Sequence, residues 1–141
     1  MKNPRINNST DAGRIALCES WAEHIGLTFA NKTYPTDPLT SINGTYIDRL
    51  ERTWNESTNH IPIGLYHDLI DGGTEPISWN ADWSASTTVN DNVSGFTNQM
   101  LFNCLNANVS SINDFRTQLI NTQLSNTSNT QTNVIALFNS Y

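Results

Sequence analysis

The sequence predicts an all-α fold, an irregular bundle of about six helices with one long loop. Apolar residues recur at helical spacing in most segments that lie between prolines and glycines, and no segment keeps the two-residue alternation of a half-buried strand. The length of 141 residues fits one domain with a single core. We therefore expect a flexible N-terminal tail at residues 1–10 and a single all-α domain at residues 11–141.

The longest periodic segment, Gly13–Tyr34, predicts the first helix. A Ser, Thr or Asp just before it can cap its N-terminus. The helix should end before Tyr34 and Pro35, because a residue that precedes proline is pushed out of helical geometry. We expect five of its residues to face the core: Ile15, Cys18, Ala22, Ile25 and Phe29.

Five further helices follow in the prediction: Thr45–Trp54, Ile63–Asp71, Ser94–Asn106, Ser111–Leu124 and Thr132–Tyr141. Pro62 suits a first helical turn, and Gly72 suits a helix end. Ser111 followed by Asp114 is typical of a capped N-terminus. Residues 74–92 keep no periodic pattern and form the long loop, which is either functional or packed down by its own aromatic side chains.

The charge of the chain excludes some classes of partner. The net charge is −6, and the seven Lys and Arg residues are scattered, which argues against nucleic acid and against an anionic membrane surface. No apolar run has the length of a membrane span. Uncharged Asn, Ser and Thr dominate the polar residues, a composition more typical of secreted or cell-envelope proteins. We expect any secretion signal to have been removed or to lie upstream of Met1.

The two cysteines allow two interpretations. Cys18 and Cys104 both fall on apolar faces of predicted helices, which favours two buried thiols that behave as small apolar side chains. A single disulfide between the first helix and a later one is the alternative. The sequence does not bring their α-carbons together, so both interpretations stay open.

Ionisable residues cluster on the first helix. Glu19 and Glu23 lie one turn apart at the margin of the apolar stripe, with His24 next to them. Two carboxylates at this spacing repel each other unless a cation, a metal or another charged element lies nearby. This part of the helix is therefore the first place to look for chemistry.

The segment Glu19-Ser20-Trp21-Ala22 resembles the Glu-Ser-Trp-Ala segment of gluzincin-type zinc metallopeptidases. Together with residues 62–71, 91–97 and 136–138, in that order, it resembles the second half of bacterial surface or secreted members. In that family two histidines of an HExxH helix and a later glutamate hold zinc. The resemblance implies that Glu19 is the third zinc ligand and that Glu23 and His24 lie beside the ligand set.

The resemblance also implies a role for residues of the third predicted helix. Tyr66 or His67 could face the cleft and stabilise a developing oxyanion, as a tyrosine or histidine does in related peptidases. A plain surface histidine is the simpler interpretation of His67. His60 has no such context and is expected in a loop.

The chain departs from the family at the decisive motif, because no HExxH occurs in it and no two of its three histidines are four residues apart. We therefore expect the C-terminal helical part of a metallopeptidase-like protein, inactive alone. Zinc would belong to the intact parent, with no tight site on this chain alone. The expected partners are the missing HExxH half or a peptide substrate.

A non-catalytic extracellular binding module is the alternative function. Trp79 and Trp83 lie in the long loop beside Asn80 and Asp82. Aromatic faces flanked by amide and carboxylate groups can stack on a sugar ring. A purely structural helical domain is the third possibility.

Overall fold

The structure, a computed structural model, describes residues 12–34, 64–72 and 91–141. These residues form five α-helices, one short 3-10 helix and no strand, so the all-α prediction is confirmed for this part of the chain. The elements are α1 (Ala12–Thr33), α2 (Gly64–Ile70), α3 (Asn98–Cys104), α4 (Ile112–Gln123), the 3-10 helix Leu124–Asn126 and α5 (Gln131–Ser140). The predicted tail, the predicted helix Thr45–Trp54 and nearly all of the predicted long loop lie outside the described residues.

The core lies between α2, α3, α4 and α5. Phe115 on α4 is at its centre, with its ring centroid 5.7 Å from that of Tyr66 and 6.1 Å from that of Phe138. Burial of each large apolar side chain contributes about 1.5–3 kcal/mol relative to exposure. The apolar residues of these helices that are buried in the core include Leu65, Leu69, Leu101, Cys104, Leu119, Val134 and Leu137.

The start of α4 is confirmed and the start of α3 is corrected. Ser111 caps α4, since its Oγ accepts a hydrogen bond from the Asp114 amide at 3.1 Å. Helix α3 begins at Asn98 rather than at Ser94, because Gly95 has a φ of +80° and Thr97 serves as the N-cap. Residues 91–97, the linking segment, therefore have no regular secondary structure.

Helix α1 has the predicted bounds but not the predicted inward face. Ile15 is 37% exposed and Phe29 is 64% exposed, and Cys18 and Ala22 are also exposed. The physical reason lies in α2, whose Tyr66 packs its ring against α1 and donates a hydrogen bond to the Leu17 carbonyl at 3.4 Å. The buried residues of α1 are instead Ala16, Leu17, Ser20 and His24.

The N-terminus of α1 lies against the turn that precedes α4. Gly13 is so close to the Ser110 carbonyl oxygen that a Cβ at this position would overlap it. Arg14 Nη2 donates a hydrogen bond to the Ala107 carbonyl at 3.1 Å. The absence of a side chain at Gly13 is therefore what permits this approach.

Both thiols are free, which excludes a disulfide between them. Cys104 is buried near the Thr122 hydroxyl, and burial raises the pKa of its thiol. The prediction of a buried thiol is confirmed for Cys104 and wrong for Cys18. None of the helices in the described ranges combines the length and apolar character needed to cross a bilayer.

Candidate functional site

Three aspartates converge where α2 ends. Asp68 on α2 and Asp71, the residue that follows α2, meet Asp91 at the start of the linking segment. Each offers a carboxylate oxygen, and these oxygens all lie within 4.8 Å of one another. Asp68 is 0% exposed and Asp91 is 9% exposed. Asp71 closes the cluster on the solvent side, with 39% of its side chain exposed.

The linking segment brings Asp91 to α2 through backbone hydrogen bonds. The amide of Gly95 donates to the Ile70 carbonyl at 2.9 Å, and the amide of Phe96 donates to the Leu69 carbonyl at 3.0 Å. These bonds satisfy two carbonyls at the C-terminus of α2, which a helix end otherwise leaves unpaired. Asp91 itself accepts a hydrogen bond from the Val93 amide at 3.0 Å. The turn after α2 is thus held against the segment that carries the third carboxylate.

Two asparagines hold the linking segment from its other side. The Asn129 side chain accepts a hydrogen bond from the Ser94 amide at 3.1 Å and donates one to the Ser94 carbonyl at 2.7 Å. Asn133 Nδ2 donates to the Asn92 carbonyl at 3.2 Å. The start of α5 therefore fixes the backbone next to Asp91, so that three separate parts of the chain define the position of this carboxylate.

A phenol and an imidazole flank the aspartates. Tyr141, the residue after α5, donates its hydroxyl to Asp68 Oδ2 at 2.6 Å, a length typical of a bond to an ionised oxygen. His67 Nε2 lies 3.2 Å from Asp71 Oδ2, one helical turn away. The cluster therefore offers carboxylate oxygens as ligands, with one imidazole nitrogen at its edge.

Three ionised carboxylates at this separation are unstable without compensation. Two unit charges 4 Å apart repel by about 4 kcal/mol at an effective dielectric constant of about 20. Burial adds a further cost to each charged group. Shared protons, hydrogen bonds or a cation can supply the compensation, and a divalent cation neutralises two charges at once. Carboxylate oxygens are the ligands that Ca²⁺, Mg²⁺ and Mn²⁺ prefer.

The residues that the peptidase resemblance implies do not all lie together. Glu19 and Glu23 are exposed on α1. His24 is buried, its ring centroid is 5.5 Å from that of Tyr66, and its Nε2 donates to Asn98 Oδ1 at 2.8 Å. Tyr66 is fully buried, and burial raises the pKa of its phenol. Among these residues, His67 is the one that joins the aspartate cluster.

Sequence reasoning missed the aspartates as a group. The spacing of Asp68 and Asp71 on a predicted helix was a usable signal, but nothing local ties Asp91 to them. His60 and the loop with Trp79 and Trp83 lie outside the described residues, so their predicted roles stay predictions.

Comparison with protein-family models, with curated proteins and with solved structures gives no match. The resemblance to gluzincin-type peptidases therefore stays a prediction that depends on the sequence motifs alone.

Proposed function

We propose that this chain is a non-catalytic helical domain that binds one divalent metal cation through Asp68, Asp71 and Asp91. The observation that carries the proposal is the approach of three carboxylates within 4.8 Å, two of them on buried residues. A cation at their centre would turn a repulsive arrangement into an attractive one. It would also join α2 to the linking segment.

The chemistry of the ligands favours a hard cation over zinc. All three aspartates offer oxygen, which suits Ca²⁺, Mg²⁺ and Mn²⁺. Zinc in proteins is more often held by imidazole and thiolate. The imidazole of His67 would first have to leave Asp71, which lies 3.2 Å from it. We therefore expect Ca²⁺, Mg²⁺ or Mn²⁺ to bind more tightly than Zn²⁺.

The surroundings of the cluster favour a structural role for the cation. Asp68 and Asp91 are buried, and Tyr141 covers Asp68 through its hydrogen bond. Among the three aspartates, Asp71 is therefore the one that solvent reaches most. A ligand that binds only the folded state stabilises it, by about 2.7 kcal/mol at a concentration 100 times its Kd.

Calorimetry on the EDTA-treated chain tests the proposal. We expect CaCl₂, MgCl₂ or MnCl₂ to bind with one cation per chain and to raise the thermal midpoint. Asp71→Asn should weaken binding by about tenfold or more, since even residues that only support metal ligands cost about 10- to 100-fold when replaced. Glu19→Gln, a matched loss of one exposed carboxylate on α1, should bind as the unaltered chain does.

Two outcomes would contradict the cation proposal. One is the absence of binding by all of these cations. The other is a cation whose affinity depends on Glu19 and not on Asp71. The half-exposed position of Asp71 makes its replacement compatible with folding, and circular dichroism would verify that both variants remain helical.

We propose, as a second candidate, the metallopeptidase-like function in which Glu19 completes a zinc site. Its support is the resemblance of Glu19-Ser20-Trp21-Ala22 to the family motif. A longer product of the same reading frame that includes an HExxH segment should bind zinc and lose it on Glu19→Gln. A reading frame with no such segment would remove this candidate. On its composition, we also propose a secreted or cell-envelope location.

A further inference from the structure

A buried imidazole lies where α1, α2 and α3 meet. His24 on α1 is 6% exposed. Its ring centroid is 5.5 Å from that of Trp21 and 5.5 Å from that of Tyr66 on α2. Its Nε2 donates to Oδ1 of Asn98, the first residue of α3, at 2.8 Å. One neutral ring therefore contacts side chains from all three helices.

The groups that face this ring do not compensate a positive charge. Tyr66 holds its proton, because burial raises the pKa of its phenol. Asn98 is uncharged, and the electrostatic effect of His67 on α2 disfavours a charge on His24. Because Nε2 already carries the proton that it donates to Asn98, a second proton would add to Nδ1. The ring would then be a buried cation without a carboxylate among the described groups that face it.

The position of His24 determines which part of α1 depends on it. The buried residues of α1 end at His24, and residues 25–33 contribute none. The half of the helix that follows therefore has no fully buried side chain of its own to hold it. Stability in such regions is low, and they open before the core does.

We propose that protonation of His24 releases the C-terminal half of α1 from α2 and α3, so that the fold opens locally in acid. The direction follows from linkage. Burial lowers the pKa of His24 below its ordinary value of 6.5, partly offset by the hydrogen bond to Asn98 and reinforced by His67. The open state thus binds the proton more readily. The stability that neutral His24 contributes is present above pH 6.5 and decreases as the pH falls below it.

Hydrogen exchange with and without the titrating ring tests this opening. Exchange would be followed by mass spectrometry at about pH 5 and about pH 7, corrected for intrinsic rates. EDTA would be present so that cation binding plays no part. Peptides that cover residues 25–33 should lose protection severalfold at the lower pH, while α4 and α5 keep theirs. His24→Gln, which retains an amide donor for Asn98, should abolish this difference, and Glu23→Gln should retain it.

An equal loss of protection in His24→Gln, or a uniform loss over all helices, would overturn the proposal. If His24→Gln does not fold, an NMR titration of the imidazoles in the unaltered chain decides instead. A pKa for His24 at or above its ordinary value would then be the contrary result. The experiment does not involve Asp91 or a cation, so its outcome is separate from that of the proposed metal site.

Discussion

Helix α1 and the group of helices α2–α5 are held in the fold by different kinds of contact. Within α2–α5, leucines and phenylalanines such as Leu119 and Phe115 fill a core from which water is excluded. Helix α1 contributes Leu17 to the same core, but it also buries Ser20 and His24 and exposes Phe29. Apolar burial fixes the first region. In the second region, hydrogen bonds, aromatic contacts and one close backbone approach add to the burial of Ala16 and Leu17. The second region should therefore respond more to pH and to single polar changes.

The largest expected effect contrasts two phenylalanines, one from each region. Phe115→Ala removes a fully buried ring that packs between Tyr66 and Phe138. It should lower the free energy of unfolding by about 3–5 kcal/mol. Phe29→Ala on α1 should change it by less than about 0.5 kcal/mol. Urea denaturation followed by circular dichroism measures both. A comparable loss of unfolding free energy in Phe29→Ala would contradict the exposed position of Phe29 on α1.

Two glycines on α1 give the next contrast. Gly13→Ala places a methyl group against the Ser110 carbonyl oxygen, and the shift that this forces should cost about 1–3 kcal/mol. Gly26→Ala meets no atom within 4 Å. It should stabilise the helix by about 0.5–1 kcal/mol, because alanine is the better helix former. Thermal denaturation would give opposite signs for the two variants. A change in stability of the same sign in both variants would show that α1 does not pack against the turn before α4.

Asn129 tests how much of the aspartate cluster depends on the linking segment. Asn129→Ala removes both hydrogen bonds to Ser94, and because water can reach the exposed Ser94 backbone the cost should be about 0.5–1.5 kcal/mol. It should also weaken cation binding if the proposed site depends on the position of Asp91. Asn121→Ala, at an exposed position on α4, is the matched control and should stay within about 0.5 kcal/mol. An unchanged stability in Asn129→Ala would mean that α5 does not hold the segment.

The sequence predicts helix boundaries that have a local signal better than it predicts which face of α1 is buried. Proline after Tyr34 and the serine cap at Ser111 are local, and both boundaries are close to those predicted. The face that α1 buries depends on His24 meeting Asn98, which is 74 residues away in the chain. A count of apolar positions cannot anticipate a buried polar side chain whose partner is so distant, and it therefore selected the wrong face.

The candidate site was hidden from the sequence for the same reason. Asp68 and Asp71 share the predicted helix Ile63–Asp71 and could be paired by spacing alone. Asp91 reaches them only because the backbone of Gly95 and Phe96 bonds to the end of α2 and Asn129 binds Ser94. These contacts involve main-chain atoms and a side-chain amide, which leave no periodic pattern in the sequence.

The smallest expected effect concerns the N-terminus of α4, within the region that apolar burial holds. Ser111→Ala removes the cap and should cost about 1 kcal/mol. Asp114 accepts hydrogen bonds from Ser110 Oγ at 2.9 Å and from the Ser110 amide at 3.1 Å. Hydrogen bonds of the Asp114 carboxylate with Ser110, and further with Ser111, lower the pKa of this carboxyl group.

The pH dependence that Asp114 contributes has the same sign as that of His24, because folding lowers both pKa values, but it lies at lower pH. Because the folded state holds the Asp114 proton less tightly than the unfolded state, the stabilising contribution is present above the ordinary pKa of 3.8. This stabilising contribution is lost as the pH falls through the lower pKa that Asp114 has in the folded state. Stability measured between about pH 5 and about pH 2 should therefore fall less steeply in Asp114→Asn than in the unaltered chain. Ser110→Ala should give an intermediate slope, and equal slopes in all three would mean that the cap carries no charge-dependent stability.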